Sequence, residues 1–451
     1  MNCAEQLVEI FGSQAGVARA FQLDRAVVHN WVKTGYVPAR WAGEVERVTR
    51  GRISSADIVN EASAKNPVRV KSRPNDAPFG IAQENQVMTQ YAPAKRITSF
   101  HPPQRTLMGP GPTEIHPRVL TTMSQPAIGY LDPVFVEMME ELKSLLRYVY
   151  QTKNPLTFPL SGPGSVGMEF CFVNMVAPGD KVIVCQNGVF GGRMLENVLR
   201  AGGTPIVIED KWGEPVDPQK VEDALKKNKG AGVVAFVHAE TSTGAQSDAK
   251  ELTSIAHKHG ALVIVDAVTS LAGTPVRADE WEIDAIYSAS QKCLSCTPGL
   301  SPVSFSERVV ERVKKRKDKI HSWFMDMNLL LGYWNAGTRT YHHTAPTNSL
   351  FALHEALLLI REEGLENCWA RHQRHHLALK AGLGPLKGKI WRFGLMGSSC
   401  RPDNVMLCLS ALGSVLDDMG YPVQVGDAES AAHGAYAQMH AKDAQRKKRA
   451  A

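Results

Sequence analysis

The chain has 451 residues with a formal net charge of +6, 43% hydrophobic and 21% charged residues. That is enough for two or three domains around a large core, and the balance excludes a disordered or fibrous protein. No apolar run approaches the ~20 residues of a membrane span. Eight cysteines are scattered along the chain, and Met1-Asn-Cys-Ala-Glu-Gln lacks a basic segment leading into an apolar one. A cytoplasmic protein is expected.

Residues 1–60 read as four short helices. Cys3 to Phe11 carries Leu7, Val8, Ile10 and Phe11. Ser13 caps Gln14 to Phe21, with Val17, Ala18 and Phe21 inward. A turn at Gln22-Leu23-Asp24 leads to Arg25–Lys33, with Val27, Val28 and Trp31 at helical spacing. Pro38 opens the last helix, through Val48. The second and third helices make a helix-turn-helix, and the segment resembles Cro-like and YdaS-like phage repressors. That resemblance implies DNA binding through Arg25, His29 and Asn30 in the major groove. Seven Lys/Arg against six Asp/Glu, and Gln22 where a turn glycine is usual, argue against it. Residues 61–105 read as a proline-rich basic linker containing Met88, a candidate start for the following protein.

From Met108-Gly-Pro-Gly-Pro-Thr113 the chain alternates strands and helices. Pro133 to Tyr150 is amphipathic, with a stripe of Val134, Met138, Leu142, Leu145 and Leu146. Leu160-Ser-Gly-Pro-Gly-Ser165 is a glycine-rich turn before a helix, where the N–H groups of Gly164 and Ser165 can meet a phosphate. Strands follow at Lys181–Cys185 and Val233–Val237.

Two stretches carry the chemistry. Ala261-Leu-Val-Ile-Val-Asp266 is a continuous apolar run of the kind found in parallel strands buried on both faces, ending in a carboxylate. Such a buried acid needs a cationic partner. Ala285 to Tyr287 is a short strand running into Ser-Ala-Ser-Gln-Lys-Cys-Leu-Ser-Cys-Thr-Pro-Gly299. Lys292 on that small-residue turn is placed to hold a carbonyl compound as a Schiff base, which requires an amine deprotonated by desolvation. Cys293 and Cys296 form a lone Cys-x-x-Cys without a second ligand pair, and no metal is expected.

With these residues in view, the chain resembles the class V, fold-type I aminotransferases that use pyridoxal 5′-phosphate, in particular the alanine–glyoxylate and serine–pyruvate family, from about Gly109 to about Gly420. The resemblance implies an α/β fold with a mostly parallel, doubly wound sheet and a smaller C-terminal α/β domain. It implies Lys292 as the Schiff-base lysine and proton shuttle, with Asp266 on the ring nitrogen. Gly164, Ser165, Thr241 and Gln291 become cofactor contacts, Phe190 the stacking aromatic and Gly111 a substrate neighbour. Tyr341 and Thr344 reach the cofactor of a neighbouring subunit, so a homodimer with shared sites is implied. Arg392 matches the arginine that grips the substrate carboxylate. Where the family places a serine or threonine this chain has Pro163. Past Leu379 several small-domain strands of the family are missing.

The expected layout is a helix-turn-helix module over 1–60, a linker over 61–105, a cofactor-binding domain over 106–345, a shortened α/β small domain over 346–440 and a disordered basic tail over 441–451. The implied activity moves an amino group between alanine or serine and glyoxylate or pyruvate. Rival readings are a desulfurase using Cys400, a regulator sensing the cofactor through this fold, and an inactive, internally deleted fusion.

Overall fold

A computed structural model describes residues 1–65, 98–334, 339–382 and 393–450. The chain divides into two units, Met1–His101 and Pro102–Ala451.

In the first unit, α1 (Cys3–Phe11) opens on a reciprocal cap between Asn2 and Glu5 and stops at Gly12, whose φ of 74° closes a left-handed C-cap. Ser13 caps α2 (Gln14–Ala20) and Asp24 caps α3 (Arg25–Thr34). Gln22 takes φ 52° in the turn between them, so glutamine occupies the left-handed conformation that glycine usually supplies. A short 3-10 turn leads into α4 (Ala42–Val48). A fifth helix, α5 (Ser55–Lys65), extends the expected four. Its signal is Ser54-Ser-Ala-Asp57: Ser54 Oγ donates to Asp57 and accepts from the Asp57 N–H. Leu7, Val17, Val28, Trp31, Val45, Ile53 and Ile58 form one core.

In the second unit the order is α6 (Pro117–Met123), α7 (Pro133–Tyr150), β1 (Leu156–Ser161), α8 (Gly164–Met175), β2 (Lys181–Gln186), α9 (Val189–Arg200), β3 (Thr204–Glu209), α10 (Pro218–Lys227), β4 (Val233–Val237), α11 (Ala249–Lys258), β5 (Leu262–Asp266), β6 (Ala285–Tyr287) and β7 (Leu300–Phe305). Helices α12 (Glu307–Lys314), α13 (Met327–Tyr333), α14 (Thr347–Glu363), α15 (Leu365–Gly382), α16 (Pro402–Asp418) and α17 (Asp427–Ala450) complete it. One seven-stranded sheet runs β1-β7-β6-β5-β4-β2-β3, with β7 antiparallel to both its neighbours and the remaining pairs parallel. Strand β4 is buried at every position and β5 at four of five, as the apolar runs require. Register aligns Val237, Asp266 and Tyr287 at one end of β4, β5 and β6. Ligands gather at the carboxyl ends of such strands. Buried aromatics such as Phe158, Phe170 and Phe236 anchor the core, each contributing roughly 1.5–3 kcal/mol by leaving water.

Three expectations are corrected. Val134, expected in the α7 stripe, is 66% exposed, and Phe135 and Met139 instead join the buried Leu142, Leu145 and Leu146 on the inward face. Among the described residues no strand follows β7, so the part expected as a small α/β domain consists of α14–α17 and irregular segments. The tail expected to be disordered continues α17 to Ala450, because the polar run after Asp427 carries no helix breaker beyond Gly434. Met88 and most of the 61–105 linker lie outside the described residues. No helix among the described residues is long and apolar enough to cross a membrane.

Candidate active site

The turn after β6 is held from both sides. Ser295 N–H donates to Lys292 C=O at 2.9 Å and Cys296 N–H to Ser290 C=O at 3.0 Å. Thr113 N–H donates to Gln291 C=O at 3.1 Å, tying the turn to the glycine-proline loop. Lys292 Nζ donates to the Pro110 carbonyl. Burial pushes this amine below the usual lysine range, the direction a Schiff-base lysine needs. Gly111 lies against it at φ 109°, and a Cβ there would stand 2.5 Å from Nζ and 2.7 Å from Cδ. A side chain here would be strained at that φ and would push the end of Lys292 aside.

Asp266 is 2% exposed at the end of β5. Its Oδ1 accepts from Val268 N–H at 2.8 Å and its Oδ2 from Tyr287 O–H at 2.8 Å. Burial still drives the carboxyl up to about 6, opposed by these two donors. No cationic side chain forms an ion pair with it among the described residues. The start of α8 lies beside these strand ends: a Cβ on Gly164 would meet the Ala289 Cβ at 2.9 Å and a Val268 methyl at 3.5 Å. Pro163, at the N-cap, supplies no side-chain bond to the helix, and Ser165 is exposed. Thr241, after β4, reaches Thr269 at 3.4 Å between hydroxyl oxygens.

Phe190 opens α9. Its N–H donates to Glu240 Oε2 at 3.2 Å, and Ser242 Oγ accepts from Val189 N–H at 2.9 Å. Arg193 covers one face of the Phe190 ring, with Cζ 4.7 Å from the centroid. Tyr341 and Thr344 are both exposed, 3.4 Å apart through their hydroxyls. Their loop is fixed to the glycine-rich turn, where His343 Nε2 lies 2.7 Å from Ser161 Oγ. His342 and His343 stand outside any helix with their Nδ1 atoms 2.8 Å apart. Arg392 lies outside the described residues. The segment after it docks beside the lysine: Gly394 N–H donates to Met108 C=O at 2.7 Å.

Lys292, Gln291, Gly111, Asp266, Thr241 and Gly164 are thus gathered around the ends of β4–β6. Two residues of this constellation were not read from the sequence. Tyr287 was legible only as the last strand residue before the turn. Glu240, 1% exposed, gave no signal, because its work of capping α9 is done across two loops. Cys400 is fully buried, and burial drives its thiol up to about 12, which withholds the thiolate a desulfurase needs. A cavity of about 590 Å³ lies elsewhere, lined by Arg371, Arg374, His375 and Tyr436. Its arginines are already paired, with Glu363 and Asp443, so the chemistry points to the Lys292 turn.

The residues fit pyridoxal phosphate. Asp266 is a buried acid without a cation, and a pyridinium N–H would supply one. Gln291 Oε1 is buried without a hydrogen-bond partner. Lys292 is an amine depressed by burial, with the glycine backbone of Gly111 packed against its end.

Residues 110–402 match the family model described as aminotransferase class-V, ending short of the expected Gly420. Residues 4–60 match the model described as bacterial toxin YdaS. The (S)-ureidoglycine–glyoxylate transaminase of Bacillus subtilis is 34% identical over 400 residues, covering 74% of this chain and 96% of that protein. The alanine–glyoxylate aminotransferase of Mus musculus is 40% identical over 273 residues, covering 60% and 66%. The crystal structure of ureidoglycine–glyoxylate aminotransferase from Bacillus subtilis aligns with a TM-score of 0.72 at 35% identity, over 75% of this chain and 100% of that one. That of alanine–glyoxylate aminotransferase from Nostoc sp. aligns with a TM-score of 0.69 at 39% identity, over 71% and 98%. With the lysine turn, the buried acid and the sheet order already in place, these matches mean that the chain belongs to the class-V aminotransferases, pyridoxal phosphate enzymes of fold type I.

Proposed function

We propose that this enzyme transfers the amino group of a small amino acid, alanine or serine, to a 2-oxo acid, glyoxylate or pyruvate. The observation that carries the reading is the pairing of a burial-depressed Lys292 with a buried, cation-free Asp266 at neighbouring strand ends. Glyoxylate appears in the names of the relatives at 34% and 40% identity.

Bound pyridoxal phosphate supplies an electron-accepting ring that stabilises negative charge at the substrate Cα. Lys292 Nζ would hold the cofactor and would take and return the Cα proton. Asp266 keeps the ring nitrogen protonated. Gly164 and Ser165 would hold the phosphate end, Thr241 would meet the ring oxygen, Gln291 would be a further cofactor contact, and Phe190 would offer a ring face. Gly111 leaves room beside the reacting amine. Arg392 grips the substrate carboxylate. Tyr341, 59% exposed, and Thr344 serve the site of a second subunit in a homodimer. Their exposure beside the glycine-rich turn supports this. Eight free cysteines, seven of them buried, support a cytoplasmic setting.

The test is to mix purified protein with alanine, serine or (S)-ureidoglycine, and then glyoxylate, while following the visible spectrum. A yellow protein whose band is bleached by one donor and restored by glyoxylate supports the reading. A colourless protein that takes up no pyridoxal phosphate refutes it.

We also propose that residues 1–60 form a separate DNA-binding module. Arg25, His29 and Asn30 are all exposed on α3, the second helix of the motif, which favours groove contact. Selection from a random duplex pool, with a salt titration, tests this. A pool that remains unenriched at low salt refutes it.

A further inference from the structure

We propose that Tyr287 is a positioning residue of the transamination: its hydroxyl holds the Asp266 carboxylate ionised and aimed at the ring nitrogen, so that the proton stays on the ring. The proposal rests on the pyridoxal phosphate reading above and goes beyond it, because Tyr287 acts through Asp266.

The geometry is specific. Tyr287 and Asp266 are register partners on β6 and β5. Their backbones are locked beside the contact by Ala267 N–H to Tyr287 C=O at 2.9 Å and His238 N–H to Asp266 C=O at 2.9 Å. The tyrosine is fully buried and its O–H meets Oδ2 at 2.8 Å. Val268 N–H occupies Oδ1. The carboxylate is therefore held at both oxygens, from two directions, and cannot rotate without losing a donor. A charged hydrogen-bond acceptor of this kind is stabilised more strongly than a neutral one.

The groups that feel the Asp266 charge are Tyr287 on β6, Tyr150 on α7, Cys171 on α8, Glu240 after β4 and Lys292 in the turn. Among them Glu240 works against ionisation and Lys292 for it, while the Tyr287 O–H is the side-chain donor. The backbone donor at Val268 is beyond the reach of side-chain evolution. Tyr287 is thus the place where the sequence sets how basic this acid is. With the hydroxyl gone, the carboxylate becomes the stronger base of the acid–pyridine pair, and the shared proton moves from ring nitrogen toward Asp266.

The experiment uses the full chain loaded with pyridoxal phosphate labelled with ¹⁵N in the ring, as wild type and as Y287F. The wild type is expected to show a pyridinium-like ¹⁵N shift. Y287F is expected to move that shift toward neutral pyridine, to bind the cofactor about tenfold more weakly and to lose about tenfold in kcat. In a D266N background Y287F should change none of these. If Y287F does not accumulate, site-specific 3-fluorotyrosine at position 287, a stronger donor of nearly the same shape, should move the ¹⁵N signal further toward pyridinium. A Y287F enzyme with wild-type ¹⁵N shift and cofactor affinity overturns the proposal alone, as does a fluorinated enzyme with an unmoved signal. A wild type that takes up no pyridoxal phosphate overturns the enzyme reading and this proposal with it.

Discussion

Asp266 carries a cost in the apoprotein that can be measured. Its carboxyl ionises at about 6 in the fold against an ordinary 3.8, a gap of about 2.2 pH units, or about 3 kcal/mol. The sign follows from which state binds the proton. Below about 3.8 the group is protonated in both states and costs nothing. Between 3.8 and 6 the unfolded chain ionises while the folded one does not, so stability falls as pH rises. Above 6 the loss is complete.

Four histidines, the buried His238, His372 and His375 and the half-buried His343, run the other way. Each is pushed down to about 4 by burial, so their contribution is present above about 6.5 and lost as pH falls. The clean quantity is therefore the difference between wild type and D266N. Asn keeps the shape and still accepts from Val268 N–H. Apo D266N should gain on apo wild type by up to about 3 kcal/mol between pH 4 and pH 7, read as diverging denaturant midpoints. Saturating pyridoxal phosphate should reverse the order at pH 7, because only the carboxylate meets a cation. A difference flat in pH across that window would refute the reasoning.

K292A should lose the visible band and all turnover above background, checked by absorbance and a glyoxylate-dependent assay. G111A should weaken cofactor binding about ten- to a hundredfold, since its Cβ stands 2.5 Å from Nζ and its φ of 109° is strained for alanine; a spectral titration checks it. His372 accepts from Gly397 N–H through Nε2 at 2.9 Å while Nδ1 lies 2.7 Å from Cys368 C=O. H372A should leave a buried donor without a partner and cost about 1–3 kcal/mol, seen as a lower melting temperature. Acidification from 6.5 through about 4 should destabilise the wild type more than H372A, because only the wild type must protonate this ring.

Local patterning alone determined the buried strands β2, β4 and β5, the Ser13 cap of α2 and the placement of Asp266 and Lys292 at strand ends. Those are properties of a few adjacent residues: an unbroken apolar run cannot face water, and Ser13 satisfies an N–H three residues away. Val134 was misplaced on α7 because Val134 and Phe135 are both apolar, and only the neighbours decide which turns inward. The helical make-up of α15–α17 was not visible, since the expectation of strands came from likeness rather than from these residues.

Tertiary structure alone set the register that brings Tyr287 to Asp266, 21 positions apart, the loop contact that carries Glu240 to the start of α9, and the approach of Gly394 to Met108. Each joins groups far apart in the chain by a bond about 3 Å long, and no local propensity encodes a distance between segments that must first be packed.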